Sequence, residues 1–294
     1  MKGGAGLYAL ISLMVLGWSG NYIAGKTALA DLPPVLLFGL RISLAGVLML
    51  PVYWWDRRRA KKTWTMADLP TLVVLGLLGV ALNQFLFILG LSRTSVAHAA
   101  IFANMTPILV VLLARIRGLE KITALKVTGV VVALAGVVLL RTLDARPHGA
   151  AASFSGDLFT FCGSLAFAMF TVLGKPATRQ HGTIAVNTVA YIGGAVVMAP
   201  VTLWQSARFS FAAVSAAAWV SLGYMAVLPS VICYLIYYHA LAHMEASRLA
   251  AFSYLLPPLA TVMGIFLLNE HVTVALVVSA LVIFTGVYLV ERGQ

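Results

Sequence analysis

The stretch Arg141–Asp157, RTLDARPHGAAASFSGD, is the longest polar break towards the middle of an otherwise apolar chain, and the sequence repeats on either side of it. Sliding the chain by 149 residues places Gly25-Lys26 on Gly174-Lys175, Pro51 on Pro200 and Trp55 on Trp204. Sliding it by 150 places Leu91 on Leu241, Pro107 on Pro257, Glu120 on Glu270, Thr123 on Thr273 and Gly136 on Gly286. An ordered series with one residue of slip marks a duplicated unit over roughly 5–141 and 154–291. The chain therefore reads as a first repeat, 1–141, a linker, 142–155, and a second repeat, 156–294.

Each repeat is too apolar for a soluble domain. Hydrophobic residues make up 61% of the chain and charged residues 10%, with a mean hydropathy of +0.97. Soluble domains carry about 25% charged residues. Apolar runs of about 20 residues recur, the length that crosses a hydrocarbon core about 30 Å thick. The expected fold is an all-α membrane protein with ten spans near 5–25, 33–55, 69–91, 96–116, 121–141, 156–175, 184–205, 214–237, 246–268 and 271–290. Five spans per repeat is an odd number, so the second copy enters the membrane from the opposite side, as an inverted repeat. The apolar segment after Lys2 belongs to the repeat, which favours a retained first helix over a cleaved signal peptide.

The charge distribution orients this topology. Fourteen of the 20 Lys and Arg fall on the side of the N-terminus, five of them in Arg57–Lys62, against five on the other side; Arg41 lies inside the second span. The excess predicts cytoplasmic N- and C-termini. It also accounts for the net charge of +11 without nucleic acid, since basic loops lie against anionic lipid. Membrane lipid and a small-molecule substrate are the expected partners, and the monomer is the expected working unit.

All nine carboxylates (Asp31, Asp56, Asp68, Glu120, Asp144, Asp157, Glu245, Glu270 and Glu291) fall at span ends or in connections. Proton-coupled pumps commonly hold a carboxylate at mid-membrane depth, and paired-carboxylate catalysis or a carboxylate metal site needs a cluster. Cys162 and Cys233 sit in apolar runs without metal or redox spacing. No nucleotide, hydrolase or metalloprotease motif appears. No cofactor, metal or catalytic residue is expected, and movement of a solute down its gradient or by exchange is. A membrane-embedded lipid-modifying enzyme is the competitor from another class; a receptor-like bundle would leave the inverted repeat without a reason.

Matching helix breaks point to the substrate site. Asn104-Met105-Thr106-Pro107 corresponds to Tyr254-Leu255-Leu256-Pro257, and Pro258 follows. Proline removes a backbone donor and frees a carbonyl one turn earlier, and paired interruptions in transporter repeats mark binding sites. Pro107, Pro257 and Pro258 are the expected hinges. Trp18, Asn21 and Gly25 share a face of span one, and Phe167, Phe170 and Gly174 the matching face of span six. Asn83 and Gln84 lie in span three, and Tyr234 and Tyr237 in span eight. Trp18, Asn21, Asn83, Gln84, Asn104, Phe170, Tyr234, Tyr237 and Tyr254 are the expected lining of a central cavity between spans one, three, four, six, eight and nine. Arg41 is a further candidate, either for a substrate carboxylate or for a structural tie to backbone carbonyls. His98, at the start of span four, is the one histidine to consider for proton sensitivity, with a satisfied helix-end histidine as the alternative reading. The small faces Gly129, Ala133, Gly136 and Ser279, Ile283, Gly286 read as helix packing.

Several of these stretches carry a family resemblance. Leu16-Gly-Trp-Ser-Gly-Asn21, Gly25-Lys26, Leu32-Pro-Pro34, Leu40-Arg41 and Leu50-Pro51 resemble the first repeat of the drug/metabolite transporter superfamily, EamA type. Ala246-Ser247, Tyr254-Leu-Leu-Pro257, Glu270, Thr273 and Gly286-Val-Tyr-Leu289 resemble the second. The resemblance spans essentially the whole chain and implies a ten-helix carrier that exports small metabolites from bacteria. Among its branches the YddG-like amino-acid exporters suit the aromatic spans best, with purine, drug and other metabolite exporters as alternatives. It implies the bacterial inner membrane as the location.

Overall fold

A computed structural model describes residues 4–59, 65–91, 93, 102–143, 153–256, 258–259, 262–263 and 274–293. His98, Pro257, Glu270 and most of the linker lie outside the described residues. Among the described residues the regular structure is helical throughout. This follows from the composition, because apolar segments in lipid must satisfy their own backbone donors and acceptors. The helices are α1 (Gly4–Leu29), α2 (Pro34–Arg59), α3 (Leu69–Gly76), α4 (Asn83–Leu91), α5 (Thr106–Ile116), α6 (Ala124–Leu143), α7 (Phe154–His181), α8 (Thr183–Ser206), α9 (Ala216–Met225), α10 (Tyr234–His243), α11 (Ala246–Ala251) and α12 (Val274–Arg292).

Among the described residues six stretches are long and apolar enough to cross a membrane: Gly6–Leu29, Pro34–Arg58, Leu69–Gly90, Phe154–His181, Thr183–Ser206 and Ala216–His243. Thr106–Ile116 and Ala124–Leu139 are shorter apolar helices. Several helices outrun their expected limits. The sixth, expected to end at 175, continues through Pro176 to His181, and the eighth, expected to end at 237, reaches His243. Hydropathy marks only the part of a helix that lies in hydrocarbon; the helix itself continues into polar residues. Gly182, with φ of +84°, is the single residue between α7 and α8. That left-handed backbone is open to glycine at little cost.

The chain forms two compact units, neither of which is a sequence repeat. One comprises Met1–Phe85 with Leu173–His243, the other Leu86–Val172 with Met244–Gln294. Each draws on both halves of the sequence, and α4 and α7 each contribute to both units.

In the first unit α2 packs along α8, and α1 along α9. Close approaches fall at glycines: a side chain on Gly76 would strike the Ala190 backbone, and one on Gly39 would strike Thr202. Ala28, Leu32, Leu36, Leu37, Leu222 and Met225 form an apolar cluster at one end. Asp31, in the turn after α1, accepts the Ser215 backbone amide at 2.9 Å. Hydrogen bonds from the Ser215 hydroxyl and amide hold its carboxyl below the usual carboxylate range. Asp68, ahead of α3, is lowered likewise, chiefly by hydrogen bonds from the Thr65 amide and hydroxyl.

In the second unit α6 lies against α12, with Gly129, Ala133 and Gly136 meeting Ser279, Ile283 and Gly286. The small faces are therefore packing surfaces, as expected. A partly buried ionic cluster joins the α5–α6 loop and the first turn of α6 to the start of α11. Lys126 Nζ lies 2.5 Å from Glu245 Oε2 and 3.6 Å from Glu120 Oε2. Glu120 accepts the Ala246 amide at 2.6 Å and also the Ser247 hydroxyl. Its charge thus serves the first turn of α11, a helix remote in sequence, where negative charge is favoured. Thr123 Oγ1 accepts the Lys126 amide at the start of α6, and Arg248 pairs with Glu291.

Candidate functional site

Two helix irregularities occupy matching places in the repeats. Leu77–Leu82, between α3 and α4, and Ala226–Cys233, between α9 and α10, are π-helical. π turns are rare, leave backbone groups without their regular α-helical partners and concentrate at functional sites. Gly79 and Pro229 hold the same position, 150 residues apart. Each carbonyl takes an aromatic donor from another element: Tyr234 Oη donates to Gly79 O at 3.1 Å, and Trp18 Nε1 to Pro229 O at 3.1 Å.

Pro229 supplies a cause for the second irregularity. It has no N–H to give to Met225 O, four residues earlier. The Ser230 hydroxyl donates to that carbonyl at 2.9 Å instead. Ser230 in turn accepts from Arg41 Nε at 2.9 Å. A buried arginine on α2 is thereby tied to the π segment through one hydroxyl.

Aromatic rings surround this chain of polar contacts. The Trp18 ring lies 5.5 Å from those of both Tyr234 and Tyr237, and Tyr191 on α8 meets Tyr234 edge-on at 5.7 Å. Such offset and edge contacts are the preferred geometries. Gln84 Nε2 donates to Tyr234 Oη at 3.4 Å. Tyr191, Tyr237 and Tyr238 are fully buried. Asn21 lies one turn beyond Trp18 on α1 and has a buried Oδ1 without a hydrogen-bond partner. Asn83 opens α4, directly after the π segment, and is half-buried. The first unit thus gathers Trp18, Arg41, Gln84, Tyr234 and Tyr237 in one network, with Asn21 and Asn83 on the same elements.

Asn104, Phe170 and Tyr254 belong to the second unit. The expected breaks are present there: residues 104–105 form a turn ahead of α5, and the equivalent Phe252–Leu255 is a 3-10 segment. Pro107 leaves Ala103 O without its helical donor, and Thr106 Oγ1 donates to it at 2.9 Å. Ser164 Oγ on α7 donates to Phe102 O at 2.9 Å. The freed Ala103 O is thus met by a hydroxyl, as burial in lipid requires, and Phe102 O takes the Ser164 hydroxyl beside the Met105 amide at 3.2 Å. Asn104 is buried, and Phe170 is fully buried against Phe167. Tyr254 sits in the apolar cluster of Ala133, Val137, Ile283 and Val287, so its ring packs the core. Pro258 is buried and helical, and Pro257 lies outside the described residues.

Sequence reasoning passed over Tyr191, Ser230, Gly79 and Pro229. Pro229-Ser230 was readable as the same proline-plus-hydroxyl device as Thr106-Pro107. Gly79 and Tyr191 carry no comparable signal. No carboxylate joins the network among the described residues, and those residues hold no cluster able to ligate a metal. Both cysteines are free thiols. What the site offers is hydrogen bonding, aromatic surface and one fixed positive charge, which suits binding more than bond-breaking.

Known proteins agree with that character. The chain is 27% identical to an uncharacterized transporter of Archaeoglobus fulgidus over 98% of both sequences. It is 27% identical to the uncharacterized transporter YyaM of Bacillus subtilis, over 94% of this chain and 92% of that one. The uncharacterized inner membrane transporter YedA of Escherichia coli is 23% identical, over 97% and 90%. A solved crystal structure superimposes with a TM-score of 0.80 at 20% identity, covering 97% of this chain and 96% of the other, which establishes a shared fold. The model of the EamA-like transporter family matches residues 6–142 and again residues 154–292. With nearly the whole chain accounted for by two such matches, the protein is a multi-pass membrane transporter belonging to the EamA-like family of the drug/metabolite transporter superfamily.

Proposed function

We propose that the protein is a secondary carrier of the bacterial inner membrane that exports small metabolites, aromatic and neutral amino acids first, by alternating access. In this reading ten helices cross the membrane as two inverted repeats, with both termini in the cytoplasm. One observation carries it: Gly79 and Pro229, at equivalent positions of the two repeats, are both exposed as hydrogen-bond acceptors by π segments and both held by aromatic donors. A π turn that relaxes to α-helix shifts the register of everything beyond it. Paired π turns therefore give spans three and eight two discrete arrangements, which alternating access requires. Trp18, Gln84, Tyr234 and Tyr237 offer aromatic faces beside a few hydrogen-bonding groups, the character of a site for an amphiphilic solute. The relative YedA is described as an inner membrane transporter, which supports the same location here.

Counterflow in proteoliposomes tests this reading. Vesicles loaded with single unlabelled amino acids or purines are assayed for uptake of the matching labelled tracer. Transient accumulation of an aromatic or neutral amino acid, lost in Trp18→Ala protein that still inserts and folds, is the expected result. Counterflow of another metabolite class alone overturns the amino-acid assignment. Wild-type rates in Trp18→Ala remove this residue from the site.

A further inference from the structure

Among the described residues Arg41 has no charged counterpart. Its side chain is 8% exposed within a membrane-spanning helix, and a guanidinium cannot shed its charge. Its hydrogen bond is from Nε to Ser230, with no carboxylate within ion-pairing distance among the described residues. The titratable groups facing it are neutral ones: Tyr191, Tyr234 and Cys233. Taking one ion out of water costs several kcal/mol even after relaxation, and a single serine hydroxyl does not return that. A second unsatisfied group stands beside it. The fully buried Tyr191 hydroxyl comes close to Ser230 and Gln84 yet makes no well-formed hydrogen bond. A fixed cation and an idle hydroxyl, both over nine-tenths buried, share one locus.

We propose that Arg41 and Tyr191 form the receptor for a single carboxylate on the transported solute. The assignment rests on the carrier reading above and narrows its substrates to monocarboxylates and amino acids that enter with their carboxylate first. One anionic group neutralises Arg41 and accepts hydrogen bonds from its free N–H groups and from the Tyr191 hydroxyl. A guanidinium suits this role because its planar fork matches a carboxylate with two parallel hydrogen bonds. Ser230 links the event to the π segment: a ligand drawing Arg41 away from Ser230 loosens the hydroxyl that holds Met225 O. Binding and the hinge of span eight therefore share one hydrogen bond.

The test compares solutes that differ only at the carboxylate. Wild-type protein in proteoliposomes is assayed for counterflow of each transported acid, its amide and its methyl ester, beside the Arg41→Gln, Arg41→Lys and Tyr191→Phe variants. Thermal unfolding in detergent verifies that each variant folds. The expected result is a preference of about 10- to 100-fold for the carboxylate, the span expected for hydrogen bonds to a charged group. That preference disappears in Arg41→Gln, is partly kept in Arg41→Lys and falls by a few-fold in Tyr191→Phe. If Arg41→Gln does not fold, Tyr191→Phe and the acid-to-amide ratio of the wild type decide alone. Equal transport of acid and amide by the wild type, or an unchanged preference in folded Arg41→Gln, overturns the assignment while leaving the carrier reading in place. Folded wild-type protein that moves no solute overturns the carrier reading and this assignment with it.

Discussion

Lys126→Met should be among the most damaging single changes outside the apolar core. Lys126 is 2% exposed and sits between Glu120, 5% exposed, and Glu245, 37% exposed. At an effective dielectric of about 20, the 2.5 Å and 3.6 Å contacts are worth ~7 and ~5 kcal/mol of attraction before desolvation. Desolvation offsets most of that, but removing the lysine alone leaves two carboxylates facing each other, one of them buried. The expected loss is about 3–5 kcal/mol. The two carboxylates should not be equivalent. Glu245→Gln costs about 0–1 kcal/mol, because that group is substantially solvated. Glu120→Gln costs about 1.5–3 kcal/mol, since it weakens charge-assisted hydrogen bonds to Ala246 and Ser247 at the start of α11. The double variant Lys126→Met/Glu120→Gln should lose about 1–3 kcal/mol less than the sum of its singles. Reversible unfolding in detergent micelles titrated with sodium dodecyl sulfate measures all four. A Lys126→Met loss under about 1 kcal/mol, or a Glu245→Gln loss exceeding that of Glu120→Gln, would refute the assignment of burial and partners.

Other expectations follow from single contacts. Tyr234→Phe removes the side-chain hydrogen bond to Gly79 O and should cost about 1–2 kcal/mol in the same unfolding assay, with Gln84→Leu adding little on top of it. Gly286→Val drives a side chain into Gly129 and the Ala133 backbone and should lose about 1–3 kcal/mol or more, whereas Gly193→Ala, which meets nothing within 4 Å, should be neutral or gain about 0.5–1 kcal/mol. Tyr254→Ala should lower stability by about 3–5 kcal/mol while leaving the solute preference of folded protein unchanged, because its ring packs in an apolar cluster. Asp31 has a folded pKa below its ordinary value of 3.8, so its contribution is present above that pH and is lost as pH falls through the lowered folded value. Melting temperatures of wild type and Asp31→Asn should accordingly differ at pH 6 and converge in strong acid; an undiminished gap there would contradict the hydrogen bonds from Ser215.

The apolar spans, the duplication and the helix break before Pro107 were legible in the sequence because each is a local property: composition, self-similarity, a missing N–H. The small face that packs α6 on α12 was legible for the same reason, since Gly129, Ala133 and Gly136 follow one another at helical spacing and leave one recognisable stripe. Aromatic and amide residues of spans one, three and eight could be picked out as site candidates by type and depth. Tertiary structure decided the rest. Whether a proline bends a helix, ends it or opens a π turn depends on what meets the freed carbonyl. For Met225 that partner is Ser230, held by Arg41 from another helix 189 residues away in sequence. Tyr254 carried the same chemistry as Tyr234 on paper, yet packing buried one in a hydrocarbon cluster and hung the other on Gly79 O. The repeats predicted two halves, while the contacts assembled two units that each draw helices from both, since a second copy buries its apolar faces against its partner as readily as against itself. Which carbonyls go unmet, and which buried charge lacks a partner, are properties of three-dimensional neighbours, and a chain of residue types does not contain them.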